Sequence, residues 1–558
     1  MVTATTGPDV LRRVSLFQGL SSEELGELWA LMLPQAFAAG EDVVEEGSAP
    51  DKLYVIVEGD ATVLAGEMTL AELGPGDYFG EMSVIDGGFR AATVRAATLL
   101  QTLSVDAGSF QDLLKRHWAI TEKVLIELCR RVRAFDPSSA ATRQEPTPDL
   151  DLRSFDMTDL DNFANGFPHE PFIVHRRTEP VYWHEPTEHT PQGEGFWSVA
   201  KHADVMNILR DPQTYSAVTG GDRPYGGTLL QDIPFAGELL NMMDDPRHKR
   251  IRRLVAKGFT PRAVSEMDEL LQQRSAELVD GMAERGGGDF VLEVAQELPM
   301  LATCMLLGIP DEERHKVFEW VNPMVDFEKG EAFAQTPEFQ RAQTEALNYG
   351  NELIAAKRSA PGDDMLSVVT HATLPDEEPS ALTDGELVLF FLILFGAGYV
   401  TTRNSISGGL LALLERPDQL EMLRADPSLW ATAADEVVRW VSPVTFNRRT
   451  ATRDVELRGR EIKAGQKVVF WESSANRDEE MFRDPMIFDV RRHPNPHLGF
   501  GAGTHFCLGA KLALLEIRVV LADMLRRFKT IEVDGTATWA RSNKHNGLRH
   551  LPLRVVPA

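Results

Sequence analysis

The sequence predicts a two-domain protein, in which a β-roll with flanking helices precedes a larger domain organised around a long apolar helix. Its 558 residues exceed what one core usually organises, and an apolar content of 43% is typical of globular chains. Short strand-like runs alternate with glycines over residues 40–106, whereas residues 383–414 form one apolar helical pattern. The polar, proline-bearing stretch Asp136–Pro148 separates the two patterns. We therefore expect domains at 1–136 and 153–558, joined by a linker at 137–152.

The predicted β-roll carries a segment suited to binding a phosphate. Helical patterns at 21–32 and 109–134 flank the strand-like region. Within it, Gly80 and Glu81 precede a short helical turn whose free backbone N–H groups can bind phosphate oxygens, and Arg90 can add a charge-assisted pair. The carboxylate of Glu81 can accept a hydrogen bond from a ribose hydroxyl.

This segment, Phe79–Val94, resembles the phosphate-binding cassette of cyclic-nucleotide-binding domains, and the resemblance extends over about residues 10–135. It implies that Gly80, Glu81, Arg90 and Ala91 bind the nucleotide. Ala91 follows the arginine where cGMP-selective members tend to have a hydroxyl, so cAMP is favoured over cGMP. The alternative is that the roll has lost its ligand and persists as a folding or dimerisation module, which would make the protein a homodimer.

Net charge and cysteine usage restrict the partners and the compartment. A formal charge of −27 argues against nonspecific binding to nucleic acid or to an anionic membrane surface. Three cysteines in a chain without a recognisable signal peptide or anchor indicate a reducing compartment. We expect a cytoplasmic protein with no nucleic-acid partner and no membrane anchor.

The second domain contains a cysteine loop with the character of a haem ligand. In Phe500–Gly509, the lone Cys507 is framed by glycines that allow the backbone to pass close to a flat cofactor, and amides directed at the sulfur favour the thiolate. Thiolate ligation favours O–O cleavage and so oxygen activation. The run Phe-x-x-Gly-x-His-x-Cys-x-Gly resembles the haem-binding loop of the cytochrome P450 family.

That resemblance covers nearly all of residues 165–558 and implies a mainly-α fold with small β-sheets, haem b as the cofactor and a monooxygenase activity. Glu436 and Arg439 are three residues apart and can pair on one helix face, and His248 and Arg252 are four apart after a proline helix start. The family pattern makes Glu436, Arg439 and Arg492 a buried charge triad. The haem loop contributes Phe500, Gly503, His505, Cys507 and Gly509, and the propionates are assigned to His248, Arg252, Arg449 and His505.

The remaining basic side chains of the helix that carries His248 are Arg247, Lys249, Arg250 and Arg253. We expect them to be solvated and to be available for docking an acidic electron donor.

The long apolar helix is expected to lie on the oxygen-binding side of the haem. Thr383 or Asp384 can cap its start, and its apolar run is too short to span a bilayer, which predicts a buried central helix. The run from Ala397 to Thr402 resembles the oxygen-binding groove of the family. Gly398 then leaves room for dioxygen, and the hydroxyls of Thr401 and Thr402 pass protons.

Val400 departs from the family pattern, in which Asp or Glu usually precedes the threonine and helps to deliver protons. Three interpretations follow. Protons arrive through water and Thr401 or Thr402, the substrate supplies the polar group, or oxygen activation is impaired.

The predicted function is hydroxylation of a small apolar, lipid-like substrate, because the second domain resembles a bacterial subgroup that hydroxylates sterol side chains, terpenoids and branched lipids. Electrons are expected from a separate ferredoxin and ferredoxin reductase, and a cyclic nucleotide is the expected effector. The competing hypothesis is a haem-based sensor in which Val400 marks weak turnover.

Overall fold

A computed structural model shows two compact units, Met1–Gln144 and Glu145–Ala558, and each is considered by itself. The division between them falls inside the expected linker, although residues 137–146 lie outside the described residues. The described residues are 22–45, 51–65, 68–80, 93–116, 147–257, 261–325 and 336–558, together with Leu11, Val14, Phe17, Ser48, Val84, Arg90, Thr121 and Phe259.

The first unit is the predicted β-roll with flanking helices. Two antiparallel four-stranded sheets have the strand orders β1-β8-β3-β6 and β2-β7-β4-β5. Alternate residues of β3 face two apolar clusters, so that Val55 joins one and Ile56 the other. The strands are Leu33–Phe37 (β1), Asp42–Val44 (β2), Lys52–Glu58 (β3), Ala61–Ala65 (β4), Met68–Leu73 (β5), Tyr78–Phe79 (β6), Thr93–Ala96 (β7) and Leu100–Asp106 (β8), and the helices are Ser22–Leu31 (α1) and Ala107–Arg116 (α2).

The second unit is mainly helical with small sheets, as predicted. Its helices are His169–Thr178 (α3), His202–Arg210 (α4), Arg247–Val255 (α5), Pro261–Arg285 (α6), Glu297–Leu307 (α7), Arg314–Val325 (α8), Pro337–Ser359 (α9), Met365–His371 (α10), Asp384–Leu414 (α11), Pro417–Ala425 (α12), Trp430–Val441 (α13), Glu472–Ala475 (α14) and Ala510–Arg527 (α15). A sheet with the strand order β11-β13-β16-β10-β9 is the largest of this unit. The strands are Val181–His184 (β9), Phe196–Val199 (β10), Tyr215–Ser216 (β11), Gly287–Asp289 (β12), Asn447–Ala451 (β13), Val455–Leu457 (β14), Arg460–Ile462 (β15), Lys467–Phe470 (β16), Phe528–Val533 (β17), Thr538–Trp539 (β18), Leu548–His550 (β19) and Pro552–Pro557 (β20).

Helix α11 is the central element of this unit. Thr383 caps it and forms a capping box with Glu386, so that each side chain accepts a hydrogen bond from the backbone N–H of the other residue. Among the described residues it is the helix that is long and apolar enough to cross a membrane by length and composition. It packs against α7, α9, α13 and α15, which identifies it as the core helix of the domain.

Helix α15 follows the cysteine loop and buries a carboxylic acid in the core. Glu516 is almost fully buried, its Oε2 atom has no hydrogen-bond partner among the described residues, and burial raises its pKa well above the ordinary 4.5. The folded protein therefore holds this proton more tightly than the unfolded chain does. Below the ordinary pKa, the carboxyl is neutral in both the folded and the unfolded state. The free energy of unfolding falls as the pH rises from the ordinary pKa towards the raised pKa, because the unfolded chain ionises first.

We expect Glu516→Gln to raise the thermal midpoint over that of the native protein at about pH 8 and to match it at about pH 4, because the amide cannot ionise. Thermal unfolding of the haem-loaded protein at both pH values measures this difference. Glu456→Gln, at an exposed position of β14, is the control and should change neither midpoint. An equal gain from Glu516→Gln at both pH values would contradict the assignment.

Candidate functional site

The cysteine loop is held by its own backbone and by the end of helix α4. The amide of Cys507 donates to the carbonyl oxygen of Phe500 at 2.9 Å. Gly503 has a φ of +65°, and a Cβ there would lie 2.4 Å from the carbonyl oxygen of Leu209, so only glycine fits. Gly509 has an ordinary φ, and a Cβ there would meet no protein atom within 4 Å. Its role beside a cofactor therefore stays a prediction.

The ionisation of Cys507 corrects one expectation from the sequence. Desolvation by the surrounding protein atoms raises the pKa of this exposed thiol, and the Gly509 amide and the Arg252 guanidinium offset only part of this effect. The amides therefore do not by themselves keep the sulfur as a thiolate. A bound metal ion makes thiolate ligation favourable because it displaces the proton.

Four basic side chains from three separate segments meet beside the loop. The His248 and His505 rings lie with centroids 4.1 Å apart, and Arg252 donates to the carbonyl oxygen of Phe506 at 2.5 Å. Burial, together with Arg449, His248 and Arg252, lowers the pKa of His505 to about 2. The structure thus brings together the four residues that the sequence assigned to the propionates.

This cluster needs an anion. Burial lowers the pKa of both Arg252 and Arg449, and Arg449 donates to the carbonyl oxygen of Arg448 at 2.9 Å. Within the described part of the chain neither guanidinium forms an ion pair with a carboxylate. A thiol with two guanidinium groups and two imidazoles beside it fits a haem: the sulfur would hold the iron, and the basic side chains would hold the propionates.

The predicted charge triad is present, with Glu436 and Arg439 fully buried and Arg492 partly buried. Arg439 donates two hydrogen bonds of 2.7 Å to Glu436, both side chains are fully buried, and Arg492 Nε lies 3.1 Å from Glu436 Oε2. The amide of Asp489 also donates to Glu436 at 2.9 Å. Arg439 donates in turn to the carbonyl oxygen of Asn476 at 2.8 Å. The triad therefore ties helix α13 to the segment that leads into the cysteine loop.

Sequence reasoning gave no role to two polar groups near this site. Asn476 accepts a hydrogen bond of 2.7 Å from the amide of Leu498, which fixes the chain just before Phe500. Glu472 and Lys544 are both buried and are bridged by Asn447, and burial raises the pKa of the acid and lowers that of the lysine. Local spacing does not predict these contacts, because the partners are distant in the sequence.

In the predicted groove of helix α11, the Thr401 side chain is hydrogen-bonded to the backbone one turn earlier. Thr401 Oγ1 donates to the carbonyl oxygen of Ala397 at 2.8 Å, and Ala397 is exposed, although the helix is otherwise buried or half-buried after its first two residues. Thr402 is buried. A Cβ at Gly398 would lie 3.1 Å from Thr303 Oγ1, so the small residue also allows α7 to pack closely.

Val400 is buried in an apolar cluster with Tyr399 and Phe395. A carboxylate at this position would lose its hydration and gain no protein partner. An apolar side chain such as valine is therefore the more stable residue here. Thr401 is therefore the polar group of this turn that lies beside the exposed Ala397.

The expectation that Arg247, Lys249, Arg250 and Arg253 are solvated is wrong for Arg250. Its side chain is buried and lies 2.6 Å from Glu386, the residue that completes the capping box of α11. Arg247 pairs with Glu238 and Arg253 with Glu377. Arg250 therefore fixes α5 to the start of α11 and is not part of a docking patch.

In the first unit, Arg90 is buried and already bound by protein groups. It lies 2.8 Å from Asp51 and donates to the carbonyl oxygens of Gly80 and Lys52 at 2.8 and 2.7 Å. Gly80 has a φ of +87°, and a Cβ there would lie 2.5 Å from Arg90 Nη1. Any larger residue at position 80 would therefore collide with the Arg90 side chain. Glu81 and Ala91 lie outside the described residues.

Comparison with known proteins decides the family. Over 406 residues, the chain is 56% identical to the putative cytochrome P450 126 of Mycobacterium tuberculosis, which covers 72% of this chain and 98% of that protein. The cytochrome P450 family model matches residues 430–555, which include the charge triad and the cysteine loop. The chain belongs to the cytochrome P450 family. As a cytochrome P450, it is a monooxygenase with haem as its cofactor.

Two further comparisons extend this result. This P450 is 37% identical over 412 residues to the steroid C26-monooxygenase of Mycobacterium bovis, with coverage of 73% of this chain and 93% of that protein. The structure of Mycobacterium marinum cytochrome P450 CYP268A2 in complex with pseudoionone matches with a TM-score of 0.63 and 32% identity, over 74% of this chain and 100% of that chain. The cyclic nucleotide-binding domain model matches residues 34–117, so the P450 carries such a domain at its N-terminus.

Proposed function

We propose that this P450 hydroxylates an apolar lipid-like substrate, a sterol, terpenoid or branched lipid, at an unactivated C–H bond. The observation that carries the proposal is its 37% identity to a steroid C26-monooxygenase over nearly the whole of that protein. The match to a P450 solved with pseudoionone supports the same class of ligand. Haem, held by Cys507 and by the cluster of His248, Arg252, Arg449 and His505, supplies the oxygen activation.

Proton delivery in this proposal depends on Thr401. Its hydroxyl donates to Ala397 and retains lone pairs that can accept a hydrogen bond from water, so it can hold and pass a proton beside the exposed turn. Val400 supplies no proton. Gly398 and Thr402 remain predicted parts of the same groove, and a polar group on the substrate is the alternative proton source.

Electrons come from a separate ferredoxin and its reductase in the proposed cytoplasmic setting, and the N-terminal domain senses a cyclic nucleotide, with cAMP favoured over cGMP. The match of residues 34–117 to the cyclic nucleotide-binding domain model supports this role. If nucleotide binding changes the affinity for substrate, substrate must change the affinity for nucleotide by the same factor. A roll that only forms homodimers would show no such coupling.

The first test is the absorption spectrum of the full-length haem protein during titration with a panel of sterols, terpenoids and branched lipids. A shift from low to high spin with one class supports the proposal and identifies the substrate class. Product formation with a ferredoxin system distinguishes an enzyme from a haem-based sensor. The sensor is the alternative because Val400 stands where an acidic residue would help to deliver protons. A spin shift without product supports the sensor, and no shift with any lipid contradicts the proposed substrate class.

The nucleotide role is tested by adding cAMP or cGMP to the same titration. We expect cAMP to bind and to change the midpoint for the lipid, whereas Arg90→Gln should abolish this response because the guanidinium is lost. Arg95→Gln is the control, since Arg95 forms an exposed pair with Asp42 in the same domain. Calorimetric titration that shows no cAMP binding to the native protein would leave the dimerisation role as the explanation.

A further inference from the structure

A buried arginine on β13 is joined to a loop distant in the sequence. Arg448 is fully buried, and its Nη1 lies 2.7 Å from Asp232 Oδ1. The same atom donates to the carbonyl oxygens of Leu229 and Gln231 at 3.3 and 3.2 Å, and the Arg448 amide donates to Thr228 at 3.1 Å. Arg448 therefore binds four of the five residues of the segment 228–232, and the fifth, Leu230, is itself buried.

The segment belongs to a longer loop, residues 217–239, that connects β11 to the Leu240–Met242 turn. Asp232 also lies 2.5 Å from Arg223, which donates to the carbonyl oxygen of Gly465 at 2.9 Å. Glu194 joins this network and pairs with both Arg223 and Lys467. Burial lowers the pKa of Arg448 to about 10, while Asp232 holds the side chain in its charged form. The carboxylates thus fix the loop to the sheet through buried cations.

The opposite side of this loop contacts the oxygen-side helix. Leu229, Ile233, Leu239 and Met242 form one apolar cluster, against which Leu389 and Ile393 of α11 pack. Ile393 precedes Ala397 by four residues, and Ala397 precedes Thr401 by four, so the three lie along one face of the helix. The loop therefore forms a wall that contacts the helix about two turns before Thr401.

Strand geometry connects this wall to the haem site. Arg448 and Arg449 are adjacent on β13, so their side chains point to opposite faces of the sheet. Arg449 joins the basic cluster beside Cys507, and Arg448 holds the loop. A single strand thus sets the position of the cofactor on one face and of the wall on the other.

We propose that Arg448, through its ion pair with Asp232, is a positioning residue for substrate, because it fixes the 217–239 loop as a wall of the space above the haem. The inference rests on the proposed oxidation of an apolar substrate, since an apolar wall holds such a molecule by surface contact. Asp232 and the carbonyl oxygens of Leu229 and Gln231 are its points of attachment. Loss of the pair releases the loop without changing the iron ligand.

The experiment uses the full-length haem protein and two probes that bind iron through the same nitrogen. Imidazole is small, whereas phenylimidazole needs the wall for its apolar ring. For Asp232→Asn we expect phenylimidazole to bind about tenfold more weakly and imidazole to bind unchanged, since breaking a buried ion pair leaves the Arg448 charge uncompensated and costs at least the equivalent of a tenfold change. The phenylimidazole affinity of Arg448→Lys should lie between those of the native protein and of Arg448→Met. Lysine keeps the positive charge but loses the planar set of N–H donors of the guanidinium group.

Hydrogen exchange of the backbone amides at residues 229–233 supplies a second readout that needs no ligand. We expect faster exchange in Asp232→Asn with the carbon monoxide spectrum of the native protein retained. Arg460→Met is the matched control, because Arg460 forms an exposed pair with Glu179 at the edge of the same domain. It should alter neither readout.

Unchanged exchange in Asp232→Asn, or faster exchange with unchanged affinity for phenylimidazole, would overturn the inference. An equal loss of affinity for imidazole and phenylimidazole would also overturn it, because that result indicates damage to the haem site itself. None of these outcomes depends on which lipid is the substrate, so failure of the proposed substrate class remains distinguishable from failure of the loop assignment.

Discussion

Glu436→Ala is expected to destabilise the P450 domain by about 3–5 kcal/mol, because it removes one partner of a buried ion pair and leaves the other charge uncompensated. Arg439 would lose both of its 2.7 Å hydrogen bonds to the carboxylate, and Arg492 would lose the same partner. The amide of Asp489 would lose its acceptor as well. The loss therefore affects every segment that the carboxylate joins.

Glu421→Ala is the matched control for this prediction. Glu421 pairs with Arg424 at the same three-residue spacing on a helix, but its side chain is 64% exposed. An exposed pair of this kind contributes at most about 1 kcal/mol, so this variant should unfold almost as the native protein does. Denaturant unfolding and haem retention measure both variants. Equal effects of the two substitutions would show that burial does not decide the strength of the pair.

A second comparison tests what the triad does. Because Arg439 donates to the carbonyl oxygens of Asn476, Pro485 and Ile487, it organises the segment that precedes the cysteine loop. We expect Glu436→Ala to release haem at a denaturant concentration below that of global unfolding. Release and unfolding at the same concentration would mean that the triad supports the whole fold rather than this segment.

The sequence predicted the contacts that follow from short spacing or from a family motif. Glu436 and Arg439 share a helix face by their spacing, and His248 and Arg252 do so in the same way. The division into a roll and a helical domain follows from turn spacing and from the long apolar helix. These features depend on residues that are close in the chain or recur in a recognisable order.

Contacts between distant segments were not predicted. The basic composition of α5 indicated solvation, but Arg250 is buried because Glu386, on another helix, offers a carboxylate at 2.6 Å. Asp51 reaches Arg90 across 39 positions and Asp232 reaches Arg448 across more than two hundred, and no local pattern marks either pair. Burial, which raises the pKa of Glu516, is likewise a property of the assembled core.

Cys507→Ser is expected to abolish thiolate ligation and with it the oxygenation of any substrate, because a hydroxyl is a poor iron donor and does not favour O–O cleavage. The basic cluster of His248, Arg252, Arg449 and His505 remains, so haem is still bound in part. The reduced carbon monoxide complex should lose the long-wavelength Soret band of thiolate ligation. Product formation should fall below detection.

Cys304→Ala is the matched control, since it removes the other thiol that the structure describes. Cys304 is buried on α7, and burial raises its pKa to about 12, so it stays protonated and unreactive. The control should keep the spectrum and the activity of the native protein. If Cys507→Ser kept the thiolate spectrum, the loop would not be the iron ligand. Loss of that spectrum in the serine variant alone ties oxygen activation to the sulfur of Cys507.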